Sequence, residues 1–365
     1  DFYYEPPTDY LALCTSNLPD PEIKLPGENF NTVLWTGNAT ADRAITGVGF
    51  QPDMLWIKNR GAAEGHKLVD GVRGATKYIV PNNTDAEATD SDMVTSLDSD
   101  GFTIGAQASV NQDTKAIVGW SWLAGGSAVA NTTGTLDAVV SANTAAGFSI
   151  VKFDETGTGA DATIGHGLSQ RPELVIGKPY TNADNWRVGS DYQASTVDWE
   201  EILLLNTAAA VGAKASVFDG ADYPAGPTAS IIYMGDDGIN NTGWESVLYC
   251  FHSVEGYSKI GSYEGNANAD GTFVYTGFRP AYVLCRRYSA VSGWHIFDDK
   301  RDGDYNVIDV RLEADNNDAE NSSNSPYLDL VSNGFKFRST FDNINSGDCL
   351  YIAFAKSPFK YANAR

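Results

Sequence analysis

The sequence is poor in the residues and spacings that most enzymes need. Its four histidines, His66, His166, His252 and His295, form no HExxH or HxH pattern, which leaves a catalytic zinc site without ligands. There is no GxSxG elbow, so a serine hydrolase of the common type has no support. No phosphate-binding P-loop is present, and "GTGADA" from Gly157 lacks the third glycine of a dinucleotide loop. Cysteine is scarce: Cys14, Cys250, Cys285 and Cys349 are too far apart for a CxxC pair. Cys250 in "LYCFH" and Cys285 in "VLCRR" have strand-like surroundings, so buried thiols are expected, with one disulfide left open. No run of 18 apolar residues exists, so no helical membrane span is expected. No signal peptide is visible and the first residue is Asp, which reads as a segment of a longer or processed chain.

Basic residues are also few: 25 Lys and Arg stand against 47 Asp and Glu, a net charge of −22. A field of that sign repels nucleic acid backbones and anionic membranes, so neither is an expected partner. Turn chemistry is what the chain has in quantity. It carries 36 glycines among abundant Asn, Asp, Ser and Thr, an apolar fraction of 42 %, and no long Leu/Glu/Lys stretch that would make a helix. That balance points to an all-β protein with many turns. A chain of 365 residues exceeds one ordinary core and suggests several domains.

One stretch returns three times. "GFQPDMLWIKNR" from Gly49 is echoed by "GLSQRPELVIGKP" from Gly167 and "GFRPAYVLCRR" from Gly277, with prolines at Pro52, Pro172 and Pro280. Other landmarks keep the same order around each anchor. A strand and glycine turn precede it. A strand with His or Trp follows: "HKLVDGVRG", "NWRVGSDYQ" and "GWHIFDDKRD". Then an apolar strand runs into an Asn/Ala-rich loop: "KYIVPNNTDAEA", "EILLLNTAAAVG" and "IDVRLEADNNDAE". A turn ("SDGFTIG", "DDGINNTG", "SNGFKFR") and an aromatic strand ("IVGWSWLAG", "VLYCFHSVEG", "LYIAFAKSP") close each copy. The second copy departs most, having lost the Phe of its Gly-Phe turn and gained residues before its proline. The expected organisation is an extended N-terminal strand and linker over 1–30, then β modules over 31–125, 126–256 and 257–365.

Short alternating runs between Gly, Asn, Asp and Pro turns predict three tandem related modules of β-sandwich type. In "DMLWIKNR", Met54 and Trp56 share one face, Leu55 and Ile57 the other. Apolar residues on both faces predict a central strand covered on both sides. Proline gives up a ladder hydrogen bond and therefore belongs at the start of this strand.

Few residues stand out as chemical. The "VDWEE" run offers Asp198, Glu200 and Glu201 beside Trp199, but the same slot of the first copy reads "GATKY", so a paired-carboxylate glycosidase site is not expected. His66 and His295 look like counterparts, with Trp186 near that position in the second copy; a metal ligand would not be exchanged for Trp, so packing roles are expected. Acidic loops, "TDAEATDSD", "DDKRDGD" and "EADNNDAEN", offer oxygen ligands to Ca²⁺ without the EF-hand order; Asp298, Asp302 and Asp304 are the calcium candidates, and no other cofactor is expected. Among eight tryptophans, Trp186, Trp199, Trp244 and Trp294 are the candidates for stacking on sugar rings from loops.

The runs "GFQPDMLWIKNR…HKLVDGVRGATKYIVPNNTDAEATD" and "GYSKIGSYEGNANADGTFVYTGFRPAYVLCRR" resemble a repeat module of phage virion proteins, marine phages in particular. The N-terminal "FYYEPPTDYLALCTSNLPDPEI" resembles the exit of a SPRY-like or concanavalin-like sandwich. The resemblance implies an extracellular virion surface protein, non-catalytic, most simply a tail-fibre segment that binds a host receptor or surface polysaccharide. It implies other virion proteins as partners, no membrane insertion, and a homotrimer. The competing expectations are a decoration or appendage protein without receptor binding, a bacterial adhesin, and a polysaccharide depolymerase.

Overall fold

The computed structural model describes residues 7–8, 17–154, 162–193, 199, 201–213, 217–218, 226–235, 238–303, 306–322 and 326–362. The chain is all-β, and its strand pairs are antiparallel. Each copy of the repeat contributes a large sheet with the same four strands at its centre. In the first copy the order is Phe30–Thr36, Ala116–Trp122, Met54–Asn59, Lys67–Asp70. In the second it is Phe148–Asp154, Glu245–Phe251, Leu174–Pro179, Arg187–Ser190, with further strands at both edges. In the third it is Ser258–Asn266, Ser346–Pro358, Phe278–Arg287, His295–Asp298, continued by two short strands. The proline anchors work as expected in the first two copies, where Pro52 and Pro172 lie just ahead of their strands. Pro280 instead falls inside the Phe278–Arg287 strand, and the ladder there breaks register on both sides of it.

The central strands of every large sheet are covered on both faces. One face meets a smaller sheet of its own copy: Arg43–Thr46, Gly101–Ile104 and Val94–Asp98 in the first, Ala162–Gly165 with Ile231–Met234 in the second, and Phe273–Tyr275, Gly334–Phe337 and Leu328–Val331 in the third. Each of these sandwiches encloses a private apolar cluster, such as Leu55, Ile57 and Val69 against Ile45, Phe102 and Ile104. The Met54–Asn59 strand is accordingly buried at every residue, as its apolar-on-both-sides pattern predicted.

The opposite faces of the three large sheets meet one another. They form a single cluster that draws residues from all three copies. Ladder register identifies the equivalent positions. Trp56 pairs with Trp120 and Leu68; Ile176 pairs with Tyr249 and Val188; Leu284 pairs with Ile352 and Ile296. One pleat along, Trp122, Phe251 and Phe354 are equivalent in the same way. The three sheets therefore surround a common axis, and the repeat is a pseudo-threefold closure within one chain. On that axis Trp56, Ile176, Leu284, Trp122, Phe251 and Phe354 help to line a cavity of about 30 Å³. An apolar void of that size stays dry and holds no ligand. Cys250, Cys285 and Cys349 are buried free thiols, and Cys14 lies outside the described residues.

Candidate functional site

The residues that look chemical in the sequence turn out to join the copies. After its fourth central strand, each copy sends a loop over the next large sheet. Residues 313–320 of the third copy cross the first, 80–87 of the first cross the second, and 204–211 of the second cross the third. Three bonds recur at each crossing. The first is between backbones: Glu320 N–H donates to Arg60 O at 2.9 Å, Glu87 N–H to Tyr180 O at 2.7 Å, and Val211 N–H to Tyr288 O at 3.1 Å. The second is a ring N–H onto a carbonyl of the crossing segment. Trp186 Nε1 donates to Val80 O at 3.0 Å and Trp294 Nε1 to Leu204 O at 2.9 Å. His66 does the same with Nε2 to Glu313 O at 3.0 Å, while its Nδ1 accepts from Trp56 Nε1 at 2.8 Å. Those bonds fix the neutral tautomer, and burial holds the His66 imidazole well below its ordinary pKa.

The third bond comes from a buried cation six residues after each proline. Lys58 Nζ donates to Glu64 O and Asn59 O at 2.8 Å and to Asn317 O of the crossing loop at 3.2 Å. Lys178 Nζ donates to Pro179 O at 2.6 Å and Thr84 O at 3.4 Å. Arg286 spans Leu204 O and Thr207 O, both at 2.9 Å, and also reaches Ala209 O. Burial lowers both lysines to about 8.

A fourth element is shared by two copies only. Asp70 Oδ2 accepts from Arg73 Nε at 2.7 Å and from the Tyr249 hydroxyl of the second copy at 2.7 Å. Asp298 Oδ2 accepts from Arg301 Nε at 2.6 Å and from Trp120 Nε1 of the first copy at 2.9 Å. Each arginine also donates to a carboxylate of its own crossing loop, Arg73 to Glu87 at 2.9 Å and Arg301 to Glu320 at 2.7 Å. Burial pushes the Asp298 carboxyl up, but the Arg301 guanidinium outweighs it and holds the group ionised. In the second copy the same positions hold Ser190 and Gln193, and the crossing loop offers Val211 instead of a glutamate. Gln193 Nε2 still donates to Val188 O at 2.9 Å, where Arg73 and Arg301 reach Leu68 O at 3.3 Å and Ile296 O at 2.7 Å.

This arrangement corrects several sequence expectations. Trp186 and Trp199 are fully buried and Trp294 is 2 % exposed, so their rings have no face for a sugar. Two are inter-copy donors, and Trp199 donates to Asp191 at 2.6 Å inside the second sandwich. Trp244 alone of the four is half-buried, in the turn before Glu245–Phe251. Asp298 is committed to Arg301 and Trp120, and Asp302 accepts the Asp309 N–H at 2.7 Å. Asp304 lies outside the described residues, as do Asp198 and Glu200, while Glu201 is half-buried. Among the described residues, no group of three or more His, Cys, Asp or Glu side chains is placed to hold a metal ion. The counterpart of His66 is Trp294, not His295: register aligns Leu68 with Ile296, and each donor lies two residues earlier. A shift of one residue turns a strand side chain to the other face, and His295 sits in the third copy against Phe341.

Sequence reasoning missed the exposed aromatics. Among the described residues the large aromatic side chains left in solvent are Phe273 (46 %), Tyr275 (64 %), Phe359 (40 %) and Tyr361 (46 %), all in the third copy or the turn that follows it. Tyr361 lines a groove of about 520 Å³ between residues 24–28 and 356–361. Alternation was the available signal: in "TFVYT", Val274 faces inward, so Phe273 and Tyr275 must face out.

No match to a curated protein or to a solved structure was found. Over residues 25–358 the sequence matches the model of a family described as a domain of unknown function, DUF7483, and the chain belongs to that family.

Proposed function

We propose that the protein is a non-catalytic component of a phage virion surface, a fibre or spike segment that attaches to the host cell. The observation that carries this reading is the use of the buried polar groups. The ionisable and ring N–H groups that would attract a chemical reading, His66, Trp186, Trp294, Lys58, Lys178, Asp70 and Asp298, are buried and bonded across the seams between copies. They make a rigid body in which loops and outer sheets alone are free to meet a partner. The threefold closure that trimeric fibres draw from three chains is supplied here by one. The acidic surface suits a soluble exposed particle and disfavours nucleic acid.

A second reading, a decoration or appendage without receptor binding, is favoured by the burial of Trp186, Trp199 and Trp294. Two experiments separate the readings. Gold-labelled antibody against the chain, applied to intact particles of the encoding phage, should decorate the virion exterior; label absent from particles sinks both. The purified protein should then bind host cells saturably. Labelled virions without cell binding would leave the decoration role.

A further inference from the structure

We infer that the exposed aromatic end of the third copy is a binding site for a neutral polysaccharide; this rests on the attachment reading and gives it an address. Phe273 and Tyr275 stand two residues apart on one strand, with Val274 between them in the core. Two residues along a strand separate side chains by roughly 6–7 Å on one face. The Tyr275 hydroxyl lies 3.6 Å from where a Cβ on Gly277 would be, so its ring extends over that glycine. Gly277 O in turn accepts the Phe359 N–H at 3.3 Å, which brings the Phe359–Tyr361 turn to the same end of the molecule. The groove beside it is walled by Leu25, Pro26, Lys356, Pro358 and Tyr361.

The fold does not need these rings. The residues flanking inward-facing Ile45 in the first copy are Ala44 and Thr46, and those flanking Ile164 in the second are Thr163 and Gly165. The third copy alone places two aromatics there, and leaves them in water. Polar groups border them. Phe273 lies opposite Lys336, whose ammonium pairs with Asp270, and Arg338 bonds Asp329 at 2.6 Å.

Size and charge select the occupant. A few part-exposed rings offer far less than the roughly 1,000 Å² that a stable protein interface buries. A chain of net charge −22 repels anionic polymers and membranes. Apolar ring faces bordered by hydrogen-bonding side chains suit a ligand with C–H faces and many hydroxyls, and a groove of about 520 Å³ has the volume of a small-ligand site. A neutral polysaccharide meets each condition.

The test is affinity electrophoresis of the whole chain in gels containing a β-glucan, a galactan or a mannan, with alginate as an acidic comparison. Retardation by at least one neutral polymer is expected. The double variant Phe273→Ala/Tyr275→Ala should lose at least tenfold in affinity while keeping its thermal midpoint, and Phe359→Ala should weaken binding further. Val291→Ala, an exposed side chain of the same copy, should change nothing. No retardation by any neutral polymer, retardation by alginate alone, or full affinity in the double variant would each overturn the inference. Particle labelling is read independently, so failure here leaves the virion reading standing or falling on its own result.

Discussion

The seam between the first two copies and the seam between the second and third do the same mechanical work with different chemistry. Where the first copy uses Asp70, Arg73 and Glu87, the second uses Ser190, Gln193 and Val211. Both hold the carbonyl of the residue two before the strand end, through Arg73 to Leu68 O or Gln193 to Val188 O. Both carry a backbone bond from the crossing loop to the next copy. The ionic version adds a donor from a neighbour, Tyr249 to Asp70, and the third copy repeats this with Trp120 to Asp298. The residue of the third copy equivalent to Tyr249 and Trp120 is Ile352, which has nothing to donate. The charges therefore come as a set: carboxylate, guanidinium, loop glutamate and a neighbour's donor are present together or replaced together. That is the expected behaviour of buried ions, which are costly singly and tolerable when fully paired.

The comparison can be broken most sharply by removing one member of the set. Arg73→Ala or Arg301→Ala leaves a buried carboxylate without its cation and should cost about 3–5 kcal/mol. Urea unfolding would measure it, and a loss as small as that of Gln193→Ala would contradict the ionic role. Tyr249→Phe removes one bond to the carboxylate paired with Arg73 while keeping the ring, and should cost about 1.5–3 kcal/mol. Smaller still is the transplant Asp70→Ser, Arg73→Gln, Glu87→Val, which installs the second copy's chemistry in the first. Because the three charged members leave together and the serine of Asp70→Ser can still accept from the Tyr249 hydroxyl, it should stay within about 2 kcal/mol of the parent, well short of the Arg73→Ala loss. A triple variant less stable than Arg73→Ala would show that the seams are not interchangeable.

Acid should act gradually. Burial lowers His166 to about 4 and His295 to about 3, and holds His66 well below 6.5. Below pH 6.5 the unfolded chain takes up protons that the folded chain refuses. The stability contributed by these neutral rings is complete above pH 6.5 and is lost as pH falls toward the folded values. Thermal midpoints should drop from pH 7 to pH 4.5, and His66→Gln should flatten part of that slope. An unchanged slope in that variant would remove His66 from the account.

Much of the fold was legible because strand alternation and turn residues act locally. The three anchors, their prolines and the two-faced Met54–Asn59 strand could be read directly. What the sequence did not disclose was the partner of the second face. Trp56 and Ile176 look like core residues of separate modules, and nothing in their neighbourhoods says that one cluster holds both. The burial of two of the tryptophan candidates escaped notice in the sequence for the same reason. Trp186 and Trp294 sit beside loops and polar residues, which suggests exposure, yet the loop that covers each comes from another copy. A comparison of the repeats at single-residue register would have placed His66, Trp186 and Trp294 together as ring donors. The outward face of Phe273 and Tyr275, by contrast, is legible in the alternation of "TFVYT".

The three copies share one core and do not stand as independent domains. Scanning calorimetry of the whole chain tests this directly. One endotherm with matching calorimetric and van 't Hoff enthalpies is expected, and Trp294→Ala in the third copy should shift all of it downward. Separate transitions, with one alone displaced by Trp294→Ala, would contradict a shared core and return the molecule to three modules on a string.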